Sequence, residues 1–142
     1  MLKNVSKLLT GDILKDLCDM GHGDELVIAD ANFPGQAYAK KLIRVPGISG
    51  SELLQAILEV FPLDSSIYVS SSAVLMDLTD GDKAKNMPTP TVWKEYEDIL
   101  KQKPALISRK DFYERSKKTY VIIQCGEQRQ YGNLILVKGV VL

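Results

Sequence analysis

The apolar residues of this chain change period repeatedly, and the changes mark out its elements. After Thr10, Ile13, Leu14, Leu17 and Met20 recur at helical spacing, and Gly21 is placed to stop that helix. Residues 26–29, Leu-Val-Ile-Ala, are a continuous apolar run that reads as a buried strand ending at Asp30. Asn32-Phe33-Pro34-Gly35 carries turn chemistry. Residues 42–45 read as a second strand, closed by Pro46-Gly47. Ser49 and Glu52 have capping-box spacing, and Leu53, Leu54, Ile57, Leu58 and Phe61 follow as the apolar face of a helix that Pro62 ends. Residues 67–78, rich in β-formers and serine, predict a strand. Residues 80–91 form the polar centre of the chain and read as a surface loop. Thr89-Pro90 then has the form of an N-cap and first helical residue, with Val92, Trp93, Tyr96, Ile99 and Leu100 giving the next helix its apolar face. A short strand at 105–107, a helix at 111–118, a strand at 120–124, a loop at 125–133 and a last strand at 134–142 complete the pattern. Strands alternating with helices predict an α/β sheet covered on both faces. The apolar terminus LILVKGVVL predicts a final strand inside the sheet or at a subunit contact.

Composition narrows the function classes. A chain of 142 residues fits one domain, 1–142, with a core that needs no staple. Eighteen basic residues balance eighteen acidic ones, so the clustered positive footprint of a nucleic-acid binder is missing. The N-terminus is too polar for a signal peptide and no apolar run is long enough to span a bilayer, which predicts a cytoplasmic protein that does not engage membranes. Cys18 and Cys125 form no CxxC pair and read as unpaired thiols. One histidine and two scattered cysteines make no zinc cage, and neither a Walker loop nor GxGxxG is present, so neither a metal nor a nucleotide cofactor is expected.

The lone histidine is the most informative polar residue. His22 lies between Gly21 and Gly23, at a helix-to-strand junction, with Asp24, Glu25 and Asp30 close behind. It could cap the preceding helix or be a solvated loop residue. It could also be an aimed imidazole, since flanking glycines free the backbone and a neighbouring carboxylate fixes the tautomer; Asp24 is near enough to do so. Asp30 sits at the C-terminal end of a strand, where ligands gather in open α/β sheets. An imidazole without metal or activated nucleophile suits proton shuttling, worth about 10²–10⁴ in rate. That suffices for an intrinsically easy reaction such as enolisation, tautomerisation or opening of a cyclic hemiacetal. By spacing alone Trp93, Tyr96, Phe112 and Tyr113 are packing residues, Arg109 is a surface ion-pair partner, and Tyr131-Gly132-Asn133 is a turn before a strand.

Two blocks of sequence carry a resemblance. MLKNVSKLLTGDILKDLCDMGHGDELVIADANFPG and SRKDFYERSKKTYVIIQCGEQRQYGNLILVKGV are similar to the two ends of the RbsD/FucU sugar mutarotase family, which includes L-fucose mutarotase and D-ribose pyranase. The paired motifs GHGDxxxxxDAxFP and FYERxxK…GExxxYGN carry it, and the helix SELLQAIL also fits. The Ala31-Asn32-Phe33-Pro34 loop and Tyr131-Gly132-Asn133 place the chain nearer the fucose branch, although that branch often has histidine where this chain has Asn32. The resemblance implies a single-domain, three-layer α/β/α fold with a mixed sheet. It implies a mutarotase exchanging the α and β anomers of a free monosaccharide such as fucose without a cofactor. It assigns acid–base work to His22, for which the residue pattern offers Asp24 as support, and sugar binding to Asp30, Arg109, Tyr131, Gly132 and Asn133. It also implies a homo-oligomer, often a decamer, with sites near subunit contacts. Two alternatives stay open: pyranose–furanose exchange on ribose, and a non-catalytic sugar-binding partner of a transport or regulatory system.

Overall fold

Local signals in the sequence set the boundaries of the first elements. The computed structural model describes residues 1–66 and 69–142. Thr10 accepts the Ile13 N–H at 3.3 Å and starts helix α1 (Gly11–Asp19), whose Ile13 and Leu17 face inward. Ser49 and Glu52 form the full capping box of α3 (Gly50–Leu58). Between these helices lie strand β1 (Glu25–Ala29), the single turn α2 (Gly35–Tyr38) and strand β2 (Leu42–Val45). After α3 come β3 (Ala73–Met76), α4 (Asp80–Ala84), α5 (Thr91–Leu100), β4 (Ala105–Ile107), α6 (Arg109–Ser116), β5 (Val121–Cys125) and β6 (Leu134–Val137).

The six strands form one sheet in the order β2-β5-β1-β6-β3-β4. β1 runs parallel to β5, β2 to β5 and β3 to β4, whereas β6 is antiparallel to both of its neighbours. The sheet is therefore mixed, as the resemblance implied. β1, β3, β5 and β6 are buried along almost their whole length, which is why they read as continuous apolar runs rather than alternating ones. Leu26, Ile28, Ile123, Leu134 and Leu136 point to one face and pack with α1, α3 and α5 through Ile13, Leu54, Ile57, Val92 and Tyr96. Val27, Ala29, Ile122, Ile135 and Val74 point to the other, where Phe33 and Phe112 cover them. Each fully buried Leu, Ile or Phe contributes about 1.5–3 kcal/mol, so this three-layer core needs no disulfide. Cys18 is exposed, Cys125 is buried, and both are free thiols.

Several boundaries depart from the sequence pattern. The surface loop expected over 80–91 contains α4, which Thr79 caps and whose first turn carries Asp80 and Asp82. It buries nothing, so it has no apolar period to detect. α2 is a single turn hidden behind the Pro34 turn signal. α5 begins at Thr91 with Pro90 as its extended N-cap residue, one position later than the Thr89-Pro90 pattern suggested. The last strand stops at Val137. There the chain crosses Leu63 so closely that a Cβ on Gly139 would lie 2.5 Å from the Leu63 carbonyl oxygen, and Val140, Val141 and Leu142 emerge exposed. β3 is likewise shorter than the run 67–78; Ile67 and Tyr68 of that run lie outside the described residues.

Candidate active site

Parallel strands bring the ends of distant segments together, and here they do so around a cavity of about 340 Å³. It opens where β1, β3 and β4 end and β6 begins, the place where open α/β sheets collect ligands. Asp30, Asn32, Phe33, Met76, Asp82, Arg109, Tyr113, Tyr131 and Asn133 line it.

Asp30, the residue after β1, is only 4% exposed. Its carboxylate accepts the Asn32 N–H at 3.0 Å and the Gly132 N–H at 3.3 Å, while its own N–H donates to Asn133 Oδ1 at 2.8 Å. Burial pushes the carboxyl above its ordinary range, and these hydrogen bonds act in the opposite direction. Gly132 has no room for a side chain: a Cβ would lie 2.8 Å from Glu127 Cγ and 3.4 Å from Asp30 Cβ. Tyr131 holds a left-handed backbone, φ 62°, unusual for a bulky residue. Two side chains of α5 fix it there. Trp93 Nε1 donates to the Tyr131 carbonyl at 2.9 Å, and the Tyr96 hydroxyl donates to the Gly132 carbonyl at 2.8 Å. Arg109, the first residue of α6, lies across the cavity with its guanidinium 5.2 Å from the Tyr113 ring centroid and its Nε donating to the Tyr113 hydroxyl at 3.2 Å. Phe33, Met76 and Tyr113 supply an apolar wall. A carboxylate, an amide, a guanidinium and a phenol beside an apolar face suit a small polyol that has one apolar edge.

His22 is not part of this cavity. It precedes β1, whereas Asp30 follows it, so the length of the strand separates them. The tight turn that carries His22 is well held. Gly23 takes φ 86° and its N–H donates to the Lys138 carbonyl at 2.8 Å, while Lys138 Nζ donates to the Leu17 and Met20 carbonyls at the end of α1. Only the second of the two flanking glycines uses the left-handed region. Asp24 does not support the imidazole, because its carboxylate accepts the Gly21 N–H at 2.7 Å instead. The carboxylate beside His22 is Asp64, 3.3 Å from Nε2 and itself buried. The Ser66 N–H and hydroxyl, and then His22, hold the Asp64 carboxyl below its ordinary range. The imidazole is half exposed.

Of the residues proposed from sequence, the structure gathers Asp30, Arg109, Tyr131, Gly132 and Asn133 around one cavity and sets His22 and Asp24 at the opposite end of the sheet. Sequence reasoning missed Asp64 and Asp82, which sit in ordinary polar stretches. It read Trp93 and Tyr96 as packing residues, since helical spacing reports only the buried face and not a donor at its edge. Glu127 was also missed. It lies buried behind the Tyr131 loop, accepts from Arg129 and from the Gly50 N–H, and Arg129 continues to Glu95 on α5. Among the described residues, no group of three or more His, Cys, Asp or Glu side chains is placed to hold a metal ion, and no helix is long and apolar enough to cross a membrane.

A mixed sheet of this order with a polar-lined cavity at its parallel strand ends defines an α/β domain with a site for a small polar ligand. The chain belongs to the RbsD / FucU transport protein family, whose model matches residues 3–141. It is 45% identical to human fucose mutarotase over 98% of this chain and 94% of that protein. It superposes with a TM-score of 0.90 on the crystal structure of the fucose mutarotase from Streptococcus pneumoniae in complex with L-fucose, at 44% identity over 99% of this chain and all of that one. The structure of Bacillus subtilis RbsD complexed with D-ribose is more distant, with 25% identity and a TM-score of 0.76 over the whole of both chains.

Proposed function

We propose that this protein is a fucose mutarotase, an isomerase that exchanges the α and β anomers of free L-fucose. The supporting observation is the cavity built on Asp30, Asn133, Arg109 and Tyr131, in a chain that matches fucose mutarotases over nearly its full length. Anomer exchange breaks the bond between C1 and the ring oxygen. One proton leaves the C1 hydroxyl, one joins the ring oxygen, and rotation about C1–C2 before reclosure gives the other anomer. Both protons are restored when the ring closes. Asp30, Asn133 and Arg109 match sugar hydroxyls in hydrogen-bonding type, and unpaired hydroxyls in a closed site would cost about 1–3 kcal/mol each. Phe33, Met76 and Tyr113 present an apolar wall to the C6 methyl group of a 6-deoxy sugar.

His22 is the proton carrier in this reading, paired with Asp64 rather than Asp24. An imidazole serves because one ring nitrogen can give a proton while the other accepts one. Its place at the far end of β1 means that it serves the cavity of a neighbouring copy, so the working form is a homo-oligomer. The half-exposed imidazole and the exposed apolar tail at Val140, Val141 and Leu142 both favour that arrangement. Saturation-transfer NMR on L-fucose and D-ribose side by side tests the function. Acceleration of fucose anomer exchange that is lost in His22→Ala is the expected result. Faster pyranose–furanose exchange on ribose than anomer exchange on fucose would favour the pyranase alternative. Binding without acceleration on either sugar would leave only a sugar-binding partner.

A further inference from the structure

We propose that Asp82, on the short helix α4, is a positioning residue that acts on the bound sugar through the hydroxyl of Tyr131. The proposal rests on the reading of the cavity as the sugar site.

Four observations carry it. Asp82 lines the same cavity as Asp30 and Tyr131, although it comes from the polar segment between β3 and α5. Its Oδ2 accepts the phenolic proton of Tyr131. The Tyr131 oxygen in turn accepts the Thr79 N–H at 3.2 Å. Thr79, the N-cap of α4, holds Asp82 from both sides, accepting its N–H at 3.2 Å and donating its hydroxyl to Oδ2 at 3.1 Å.

The consequence follows from counting donors and acceptors. A phenol has one proton, and here it is committed to a carboxylate. One face of the oxygen is committed to Thr79. What remains for a ligand is acceptor capacity only, so Tyr131 receives a hydrogen bond from a sugar hydroxyl and does not donate one. Asp82 and Arg109 carry opposite charges beside this phenol, and the Tyr131 hydrogen bond is the first of the contacts that hold the Asp82 carboxyl below its ordinary range. Without Asp82 the phenolic proton is free to turn toward the cavity, where it competes with the sugar hydroxyl as a second donor. Asp82 thereby sets the polarity of the contact without needing to touch the sugar.

A double-mutant cycle on Asp82→Ala and Tyr131→Phe tests this, read as L-fucose affinity by NMR titration and as anomer exchange by saturation transfer. A charge-assisted hydrogen bond is worth enough that Asp82→Ala alone should weaken affinity about ten- to a hundredfold. In the Tyr131→Phe background the same change should cost less than about threefold, because the group it acts through is gone. Asp82→Asn keeps the shape and an acceptor for the phenolic proton, and should stay within about threefold of the parent chain. Equal losses from Asp82→Ala in both backgrounds, no loss at all, or an Asp82→Asn variant as weak as Asp82→Ala would each overturn the proposal. If the parent chain binds fucose but does not speed its exchange, the mutarotase reading fails and the affinity cycle still decides the role of Asp82. If it binds neither fucose nor ribose, both readings fall.

Discussion

A site shared between copies predicts that two inactive chains restore each other. Asp30 and His22 lie beyond opposite ends of β1. The four residue steps from Glu25 to Ala29 alone span about 13 Å at ~3.3 Å each. Proton transfer needs heavy atoms about 2.6–3.2 Å apart, or one intervening water. His22 therefore cannot reach a sugar held by Asp30 of its own chain. His22→Ala leaves the cavity intact and removes the proton carrier, for a loss of about 10²–10⁴ in exchange rate. Asp30→Asn leaves the imidazole intact and replaces the buried carboxylate that accepts the Asn32 and Gly132 N–H groups. When the two variants are co-expressed in equal amounts, a site that takes His22 from one copy and Asp30 from another has both parents' good halves in about one case in four. Saturation-transfer NMR on L-fucose should then read about a quarter of parental activity from a mixture whose components are each nearly silent. A mixture no more active than the mean of its two components would refute the shared site and, with it, any catalytic role for His22 at this cavity.

Three smaller predictions address its supports. Tyr96→Phe deletes the hydroxyl that donates to the Gly132 carbonyl in a fully buried setting; leaving that carbonyl unpaired should cost about 1–3 kcal/mol, read as a lower urea midpoint together with weaker fucose binding. Asp64→Asn removes the charge beside His22 and should slow exchange about ten- to a hundredfold while fucose affinity measured by titration stays unchanged, because Asp64 acts on the imidazole and does not line the cavity of its own chain. Glu127 is held below its ordinary carboxylate range first by the Arg129 guanidinium. A depressed folded value adds stability that is fully present above the unfolded value near ~4.3 and is lost as pH falls through the folded one. Glu127→Gln should therefore flatten the acid limb of urea midpoints measured from pH 6 down to pH 3, and an unchanged acid limb would contradict the ion-pair account.

The four inner strands were legible in the sequence because they are buried on both faces and so appear as largely apolar runs. α1 and α3 were legible because Thr10, Ser49 and Glu52 announce them. What escaped was whatever carries no periodicity. α4 packs nothing into the core, and its contribution, Asp82, becomes visible only when its carboxylate meets Tyr131 across 49 residues of chain. Asp64 escaped for a similar reason, since it reaches His22 only because β6 brings Lys138 and the chain after α3 together at the sheet end. Asp24 was the nearer carboxylate in sequence, but its side chain closes the turn onto the Gly21 N–H, which proximity along the chain could not reveal. The Asp30 cluster emerged from motif resemblance. Its geometry came from strand polarity, since the C-terminal ends of β1, β3 and β4 necessarily meet on one edge.

Tyr131 concentrates the physical logic of the site. A bulky residue with φ near +60° costs of order 1–3 kcal/mol, so it persists only where its surroundings over-determine it. The backbone carbonyls of Tyr131 and Gly132 are each held by one donor from α5, and the phenol is held by α4. Hydrogen bonds of this kind contribute about 0.5–1.5 kcal/mol net each when neutral and about 1.5–3 when a charge is involved. Their sum matches or exceeds the strain, and no single one of them does so dependably. The strained turn is thus stable only when α4, α5 and the loop before β6 are all docked. That same turn directs the Gly132 N–H at the Asp30 carboxylate. Burial pushes the Asp30 carboxyl above its ordinary range, and among the hydrogen bonds that oppose this the one from Gly132 depends on the bend at Tyr131. The Asp30 carboxylate and the phenol beside it are therefore parts of one device, and its stability is tied to the helices around it rather than to the sheet on which it stands.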